Sequence, residues 1–501
     1  MLVLRRILFI LFSIIYVIYC PLIILDVLGI NLTPRSTQNL TKTGIISLSS
    51  LPPGATIYLD NLRFAGKTPS VIRNLIPGEY SLRLILRNHR TWERVIPVKA
   101  ETATVLENIL LVPQIWQTQV LSYLAFEDIL PIHNNSLFLV KQGPRVQDLF
   151  IFRMTESLSE QILPALENTD KKLLFSPLFP ADTIYNEAKV VACFTMPQSP
   201  SLLLQINLKS TEKFLWIDLK QKLPLIDDIT DLMIKKPKRI LWENRDNKNI
   251  FVLYPDNTVT RLETATKAIY PNVAEHVRGW GVYNQKMYIM SQDQQLRKIS
   301  FDGKDEELIA PTRPRILAHF GEDIKYQIHV YPNELILFLG EHGELLTNKA
   351  PFELVDRDVK NFDFDESSQR LLIWTEHKLG VIDFSTRTPE ENLNLGPQLV
   401  WLIAEVKNIE QAFWVNHGSY IVYRDQDRVI LTETEKFYNP ASETIMNVKR
   451  GSSIVYSEPT GKLYYLDPEM HRLSALTLVP VPDRFAFTNN AKNRKRAEGS
   501  E

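Results

Sequence analysis

The sequence RLLIWTEHKLGVIDF, at residues 370–384, consists of an apolar strand, a short polar turn and a second strand in which apolar and polar residues alternate. Two strands joined by so short a turn predict an antiparallel β-hairpin. A continuous apolar run is typical of a strand packed on both faces, and alternation is typical of a half-exposed strand. We therefore expect the first strand to be the inner one and the second to lie nearer an edge.

This hairpin pattern repeats along most of the chain. Seven further segments show it, at residues 136–154, 202–219, 249–263, 286–303, 334–347, 419–433 and 453–467. They recur about every 35–65 residues with a mean near 45, which is the spacing of four-stranded propeller blades. The pattern predicts an all-β body with a seven-bladed (or eight-bladed) β-propeller, seven being preferred. Two β-sandwiches in series are the alternative.

One of these segments resembles a known repeat. In FDESSQRLLIW, from Phe364, a turn aspartate precedes an apolar strand, with Asp365, Ser368 and Arg370 ahead of residues 371–374. This arrangement is similar to the short repeat of bacterial TolB-like propellers, and the body as a whole looks like a degenerate TolB-like or WD-repeat-like propeller. We expect the turn aspartate to cap its hairpin by accepting hydrogen bonds from backbone N–H groups.

The N-terminal segment is strongly apolar. Residues Ile7–Leu25 read ILFILFSIIYVIYCPLIIL, and as a helix these 19 residues would rise about 28 Å, close to the thickness of a bilayer core. Arg5 and Arg6 precede the run, which predicts a cytoplasmic N-terminus and an exported body. A cleaved signal peptide and a buried core helix are the alternatives. Tyr19 stands where a lipoprotein signal needs a small residue before Cys20, which disfavours acylation.

A small β-rich unit follows at residues 44–113. The strand pattern at Tyr80–Arg87 places Leu82, Leu84 and Leu86 on one face and a mostly polar set on the other, and turn residues separate about five or more strands. The segment resembles a PEGA domain, with Pro53 where that family has Glu. The matching elements are Pro52, Gly54, Ala55, the strand ending at Asp60, Gly66–Pro69, Pro77–Tyr80, His89 and Arg90. The resemblance implies a small β-sandwich, found mainly on prokaryotic surface proteins, without known catalytic residues.

These patterns divide the chain into five parts. We expect a cytoplasmic tip and transmembrane anchor at 1–30, a linker at 31–43, the PEGA-like β-sandwich at 44–113, the propeller-like domain at 114–487 and a disordered polar tail at 488–501.

The composition and the motifs of the chain argue against several classes of function. The 501-residue chain has a formal net charge of -1, which gives no signal for nucleic acid. Its two cysteines, Cys20 and Cys193, do not form a disulfide framework. The sequence contains no common zinc pattern, phosphate loop, dinucleotide fingerprint or nucleophile elbow, so we expect no catalytic residue, metal site or cofactor.

Two groups of residues are candidates for binding. Trp280, in RGWGVY, is flanked by glycines near an expected turn and is the best candidate for an exposed aromatic. The PEGA-like unit has eight Lys or Arg against five Asp or Glu, and four of its arginines are candidates for a basic face towards anionic lipids or an acidic wall polymer. These four are Arg83, Arg87, Arg90 and Arg94.

The sequence therefore favours a single-pass membrane protein of the bacterial cell envelope with a non-catalytic binding or scaffolding role. Its propeller would recognise another envelope protein or a cell-wall polysaccharide. The alternative is an extracytoplasmic hydrolase acting on glycan or peptide in the propeller channel. Paired carboxylates for such chemistry are set by the fold and do not show in a sequence. Separately, Asp363, Asp365 and Glu366 form an oxygen-rich cluster of the kind that can bind calcium, but it does not have the regular alternation and glycine of a calcium loop, so its ordinary interpretation is a solvated turn.

Overall fold

The computed structural model describes residues 12, 15–17, 19–20, 30–32, 40–133, 137–154, 175–180, 183–195, 199–220, 223–242, 249–293, 295–301, 305–309, 320, 325–349, 354–385, 398–434 and 442–480. These residues fall into two compact units. One contains the described residues up to Trp116 together with residues 479–480, and the other contains the described residues of Gln117–Thr434 and Ala441–Leu478.

The predicted membrane helix lies largely outside the described residues. Within Ile7–Leu25 the described positions are 12, 15–17 and 19–20, and these are helical. No helix among the described residues is long and apolar enough to cross a membrane. The anchor therefore stays a prediction, as does the tail at 488–501, which is outside the described range.

The predicted linker contains a short ladder. Strands β1 (Ile30–Leu32) and β2 (Leu40–Lys42) pair antiparallel, with Ile30 opposite Lys42. A ladder needs only backbone N–H and C=O groups, so it forms here in a polar segment that lacks any periodic pattern of side chains.

The unit after the linker is a two-sheet sandwich. One sheet has three strands in the order β6-β3-β9 and the other has four in the order β5-β4-β7-β8. Residues from both sheets, among them Ile46, Ile57 and Leu84, form one buried core. The strands are β3 (Gly44–Leu51), β4 (Thr56–Leu59), β5 (Leu62–Lys67), β6 (Ser70–Leu75), β7 (Gly78–Ile85), β8 (Trp92–Val98) and β9 (Ala103–Leu110).

Thr68 fixes the turn between β3 and β4, the first two strands of this sandwich. Its hydroxyl accepts a hydrogen bond from the Ala55 N–H at 2.9 Å and lies 2.6 Å from the Ser50 hydroxyl, and its carbonyl accepts from the Gly54 N–H at 2.7 Å. Thr68 is buried, so these bonds are shielded from water. The Gly-Lys-Thr-Pro segment is thus tied to the Pro-Pro-Gly-Ala turn through the side chain and the backbone carbonyl of this one residue.

The second unit contains eight four-stranded antiparallel blades within the described residues. Blades 1 to 4 are formed by β11 (Asp128–His133), β12 (Leu137–Lys141), β13 (Leu149–Arg153) and β14 (Phe175–Pro177); β15 (Lys189–Thr195), β16 (Ser201–Leu208), β17 (Thr211–Asp218) and β18 (Leu225–Asp228); β19 (Arg239–Trp242), β20 (Asn249–Leu253), β21 (Val259–Glu263) and β22 (Ala268–Ala274); and β23 (Val277–Tyr283), β24 (Lys286–Ser291), β25 (Leu296–Ser300) and β26 (Glu306–Ile309).

Blades 5 to 8 continue the series. They are formed by β27 (Tyr326–Tyr331), β28 (Leu335–Gly340), β29 (Leu345–Thr347) and β30 (Leu354–Asp356); β31 (Asn361–Asp365), β32 (Arg370–Trp374), β33 (Leu379–Asp383) and β34 (Leu399–Ile403); β35 (Ile409–Val415), β36 (Tyr420–Asp425), β37 (Arg428–Glu433) and β38 (Ser442–Asn447); and β39 (Val455–Ser457), β40 (Lys462–Leu466), β41 (Arg472–Thr477) and β10 (Thr118–Ala125). One-turn 3-10 helices lie at Val146–Asp148, Thr230–Leu232 and Pro332–Glu334.

Strand β10 closes the ring. It precedes blade 1 in the chain, yet it pairs antiparallel with β41 and so completes blade 8, with Gln119 opposite Ala475. Buried side chains of blades 1 and 8 then form one core, in which the Phe138 and Tyr464 rings lie 5.2 Å apart. Joining both ends of the domain in one sheet is how a propeller avoids two open edges. The eight blades thus form a closed propeller, with eight blades instead of the preferred seven.

In blades 1 to 7 the repeated hairpins are the two middle strands, and not an inner strand followed by a strand nearer the edge as the sequence predicted. In blade 8 the hairpin at 453–467 is β39 and β40, and its first strand is the inner one. The stretch at 370–384 forms β32 and β33, whereas β31 is the inner strand of that blade. Middle strands are paired on both edges and covered on both faces by neighbouring blades, so they are the most apolar. The inner strand keeps polar residues because one of its faces lines the centre of the ring.

Candidate functional site

The first strands of the blades line the centre of the propeller. First strands of neighbouring blades contact one another directly, as in blades 1 and 2, 3 and 4, and 6 and 7. Between blades 4 and 5 the contact becomes a parallel ladder from β23 to β27, so these two blades form one eight-stranded sheet. Partly exposed polar residues on these strands therefore face the channel or its mouth.

One mouth of the channel carries a repeated position ahead of the inner strand. It directly precedes that strand in blades 1, 3 and 6, and in blade 8 it lies six residues before β39. At this position the backbone N–H donates to the carbonyl of the last residue of the blade's second strand. The bond occurs in blades 1, 3, 6 and 8, from Glu127 to Lys141 at 2.6 Å, Lys238 to Leu253 at 2.8 Å, Lys360 to Trp374 at 2.8 Å and Lys449 to Leu466 at 2.9 Å. Lys325 directly precedes β27 in blade 5. Four of these five positions are lysine.

Two of the lysines connect adjacent blades. The Lys360 Nζ of blade 6 donates to the Asn408 side chain and to the Ile409 carbonyl of blade 7, both at 3.0 Å. The Lys449 Nζ of blade 8 donates to the carbonyls of Phe126 at 3.2 Å and Glu127 at 2.5 Å, at the start of blade 1. Here the ammonium group stabilises the ring by binding oxygens of the next blade.

The lysines of blades 3 and 5 are placed differently. The Lys238 and Lys325 side chains lie within hydrogen-bonding reach of each other, and this contact, followed by burial and the charge of Lys325, lowers the pKa of Lys238. Beside them the Arg239 Nη2 donates to Gln327 Oε1 at 2.8 Å. Burial lowers the pKa of Arg239 to about 10, so it remains a cation at neutral pH. Three cations from blades 3 and 5 thus converge on this mouth.

His329 lies deeper in the channel on β27. Burial, with a smaller contribution from the charge of Arg239, lowers its pKa to about 4. Its ring packs edge-on against Phe362 at 4.9 Å between centroids. His329 is therefore a neutral packing residue at physiological pH.

Asp363 occupies the inner strand of blade 6. Burial raises the pKa of its carboxyl group to about 6, although the Trp414 N–H donates to it at 3.4 Å. The Trp414 indole N–H donates to the Asp363 carbonyl at 3.2 Å, which ties blade 7 to blade 6. Burial, and then the charge of Asp363, raises the pKa of Tyr331. The Asp363 side chain is surrounded by protein yet partly accessible, as expected for a group lining a narrow channel.

Asp365 caps its hairpin as predicted. Its carboxylate accepts from the Ser367 N–H at 3.0 Å and from the hydroxyls of Ser367 and Ser368 at 2.7 and 2.6 Å. Burial acts to raise its pKa, but these hydrogen bonds outweigh it and the pKa is lowered overall. The pKa values of these two carboxyl groups, two residues apart, are therefore shifted in opposite directions by their different surroundings.

The exposure predicted for Trp280 is wrong. Its side chain is 1% exposed and packs in the core between blades 3 and 4. The flanking glycines do not mark a turn. A Cβ atom at Gly279 would lie 3.2 Å from the Tyr326 Cβ, and one at Gly281 would overlap the Ile328 carbonyl, so both allow β23 to approach β27.

The four candidate arginines do not share one face. In the antiparallel pair β7–β8, Arg83 lies opposite Glu93, whereas Arg94 lies opposite Leu82. Directly opposed residues point to the same side of a sheet and neighbours alternate, so Arg83 and Arg94 are on opposite sides. The guanidinium groups rest on Tyr58 and Trp92, at 5.1 and 5.4 Å from the ring centroids. Arg87 and Arg90 are exposed in the loop between the strands. The prediction that the four arginines form a single basic face is therefore wrong.

Sequence reasoning missed the lysines at the mouth. A signal was present, because Val-Lys precedes an apolar strand at 359–360, 406–407 and 448–449. The N–H groups of these three valines each donate to a carbonyl in a turn of the preceding blade. Within the described residues, no group of three or more His, Cys, Asp or Glu is placed to hold a metal ion.

Comparison with known proteins identifies the first unit. Residues 43–110 match the family model of the PEGA domain, in agreement with the resemblance found in the sequence. A search of curated proteins gives no match.

Solved structures similar to the chain are propellers at low identity. The C-terminal WD40 domain of Sif2 has 9% identity and a TM-score of 0.45, covering 74% of this chain and 99% of that one. The β-propeller domain of Myceliophteria thermophila Cps50 (Swd1) has 11% identity and a TM-score of 0.34, covering 58% and 99%. YCF48 bound to D1 peptide has 9% identity and a TM-score of 0.36, covering 74% and 96%. The assignment of the propeller here rests on the closed ring of blades.

Proposed function

We propose that this chain is a single-pass membrane protein of the cell envelope, with a cytoplasmic N-terminus and an extracytoplasmic propeller that binds another envelope protein or a cell-wall polysaccharide without catalysis. The PEGA domain would act as a spacer and mount between the bilayer and the propeller. The propeller mouth carries this proposal, since it presents polar side chains from several blades on a closed, rigid ring.

Exposed apolar residues support the membrane part of the proposal. In the N-terminal helical positions the side chains of Phe12, Tyr16, Val17 and Tyr19 are 60–71% exposed. Large apolar side chains so close together are costly in water and favourable in a bilayer. Arg5 and Arg6 before them favour the cytoplasmic side.

Topology can be tested in intact cells. A protease added outside should digest the propeller and leave an N-terminal tag protected, and the tag should become sensitive after the membrane is permeabilised. Release of the whole chain by high salt or alkaline carbonate would contradict the anchor.

The binding role can be tested by capture from the intact envelope with the tagged full-length chain. The positions Lys189, His276 and Lys407 lie exposed at the starts of inner strands in three blades. Their combined replacement by Glu should reduce recovery of the partner at least tenfold. Lys267 is a matched control, because it lies in the turn after the third strand of blade 3, at the other end of the blade. Unchanged recovery with the triple variant would place the partner elsewhere and contradict recognition at the mouth.

A channel hydrolase acting on glycan or peptide is the second candidate, and Asp363 is the observation that favours it. A carboxyl group that holds its proton near pH 6 has the property required of a general acid. Incubation of the purified chain with wall polysaccharide or peptides, followed by measurement of new reducing ends or amines, tests this role. Activity that is lost in Asp363→Asn and retained in Asp365→Asn would support it, whereas no turnover by the unmodified chain would contradict it.

A further inference from the structure

We infer that Lys238, Arg239 and Lys325 form a binding site for a phosphoryl group at the mouth of the propeller, between blades 3 and 5. The inference concerns these three side chains and does not depend on the identity or existence of an envelope partner.

Equivalent lysines within the ring differ in what their side chains bind. Lys360 and Lys449 occupy the same position in their blades, and each ammonium group is held by two oxygens of the next blade. Lys238 shares their backbone hydrogen bond, yet its side chain reaches Lys325 across blade 4. Two ammonium groups repel each other, and among the described residues this pair does not have the oxygen acceptors that hold Lys360 and Lys449.

The charged groups described around Lys238 and Lys325 are mostly positive. Among the described residues, none of the three cations has a carboxylate within 4 Å, and Arg239 bonds to the neutral amide of Gln327. Glu341 is the one acidic side chain that acts on Lys238. His329 is neutral at physiological pH because its pKa is about 4. Within the part of the chain that the structure describes, three positive charges thus face one negative charge at this place.

The chemistry of the three groups indicates the ligand class. A phosphoryl group carries up to two negative charges and three acceptor oxygens, which matches two ammonium groups and one guanidinium. Lys238 is exposed and Lys325 and Arg239 are partly exposed, so a ligand reaches them from solvent. A dianion between the lysines would remove their mutual repulsion, and it would bind the folded ring in preference to the unfolded chain.

The test measures the unfolding temperature of the purified full-length chain by tryptophan fluorescence while phosphate replaces chloride at constant ionic strength. We expect a saturable rise of several degrees and broadening of the phosphate signal in phosphorus NMR. Glycerol 3-phosphate should act like phosphate if the natural ligand carries the group as an ester, and act more weakly if free phosphate is the ligand. An equal response to chloride or to the monocarboxylate glucuronate would overturn the proposal.

Variants separate the site from the fold. Lys238→Gln with Lys325→Gln should abolish the phosphate response and, without phosphate, unfold no lower than the unmodified chain, since repulsion is removed. Lys360→Gln is the matched control, which should unfold at a lower temperature and keep the response. Glu341→Gln should tighten phosphate binding severalfold. A full phosphate response in the double variant would overturn the site. Weaker phosphate binding by the Glu341→Gln variant would also overturn it. If the double variant fails to fold, phosphorus NMR on the unmodified chain still shows whether phosphate binds, and an unbroadened phosphate signal would overturn the site.

Discussion

Gly281 in blade 4 lies directly against the main chain of Ile328 in blade 5, so closely that a Cβ atom at position 281 would overlap the Ile328 carbonyl group. Strands β23 and β27 are parallel here, with Gly279 opposite Tyr326 and Trp280 opposite Gln327. The two blades therefore share one eight-stranded sheet. The close contact between β23 and β27 therefore requires a residue without a side chain at position 281.

Replacing Gly281 with Ala should destabilise the propeller by about 1–3 kcal/mol, the usual cost of forcing extra atoms into a packed interior. The contact is with backbone, which cannot rotate away as a side chain would. The midpoint of urea unfolding, followed by tryptophan fluorescence, measures the effect. Gly279→Ala is the graded control, because its Cβ would lie 3.2–3.3 Å from Tyr326 and requires a smaller shift. Equal midpoints for Gly281→Ala and the unmodified chain would show that β23 and β27 are not so close.

Replacing Lys449 with Met should weaken the closure of the ring between blades 8 and 1. Met keeps most of the side-chain volume but removes the bonds to the carbonyls of Phe126 and Glu127. Charge-assisted bonds to such acceptors contribute about 1.5–3 kcal/mol each when shielded, and the partial exposure here reduces the expected loss to about 1–2 kcal/mol. Chemical unfolding measures this loss.

The control for Lys449 is Lys209→Met, in the exposed turn between β16 and β17. This substitution should change the stability by less than about 0.5 kcal/mol, as is usual for surface positions. Comparable losses for the two variants would mean that the Lys449 bonds contribute nothing particular to ring closure.

The hairpins and the PEGA domain were predictable because their signals are local. A period of two residues and the turn chemistry at Asp365 are encoded within a few positions, and both have the expected structure. The spacing of the hairpins gave the blade size, but not the choice between seven and eight. That number depends on β10 joining β41, which are about 350 residues apart in the sequence.

The errors have a common physical cause, which is that residue spacing does not reveal what lies across a sheet. Glycines beside Trp280 are equally compatible with a turn and with close approach of a neighbouring strand. The arginines looked alike in sequence, yet two lie on opposite sides of one sheet because the loop between β7 and β8 resets the alternation. The mouth lysines were missed because their partners come from other blades.

Asp363 should make the stability of the propeller depend on pH. Its pKa in the folded protein is about 6, above the ordinary value of 3.8, so the folded state binds this proton more tightly than the unfolded state. The contribution is fully present below pH 4 and is lost as pH rises through 6. Asp363→Asn cannot ionise, so it should exceed the unmodified chain in stability by about 1–2 kcal/mol at pH 7.5, after allowance for partial exposure, and not at pH 4.

Asp365→Asn should change the stability of the propeller in the opposite direction. The pKa of Asp365 is lowered, so its charged form stabilises the fold at neutral pH and this contribution is lost as pH falls through the lowered pKa. The variant should therefore be less stable than the unmodified chain at pH 7.5, with a smaller difference in acid. Unfolding midpoints at pH 2, 4 and 7.5 for both variants give the comparison, and the Asp365 difference should shrink only below the ordinary value of 3.8. Parallel behaviour of the two would contradict the different environments of the carboxyl groups.

Cys193 should react slowly with thiol reagents in the folded protein. It lies on β15, the inner strand of blade 2, and burial raises the pKa of its thiol to about 12 from an ordinary value of 9.0. The thiolate is the reactive form, so a shift of three units lowers its fraction about a thousandfold at pH 8. In a Cys20→Ser background, labelling by a disulfide reagent should follow the opening of the ring. Substitutions that loosen blade contacts, such as Gly281→Ala, should then accelerate it. Labelling of the native chain as fast as that of a free cysteine would show that Cys193 is not enclosed by the blades.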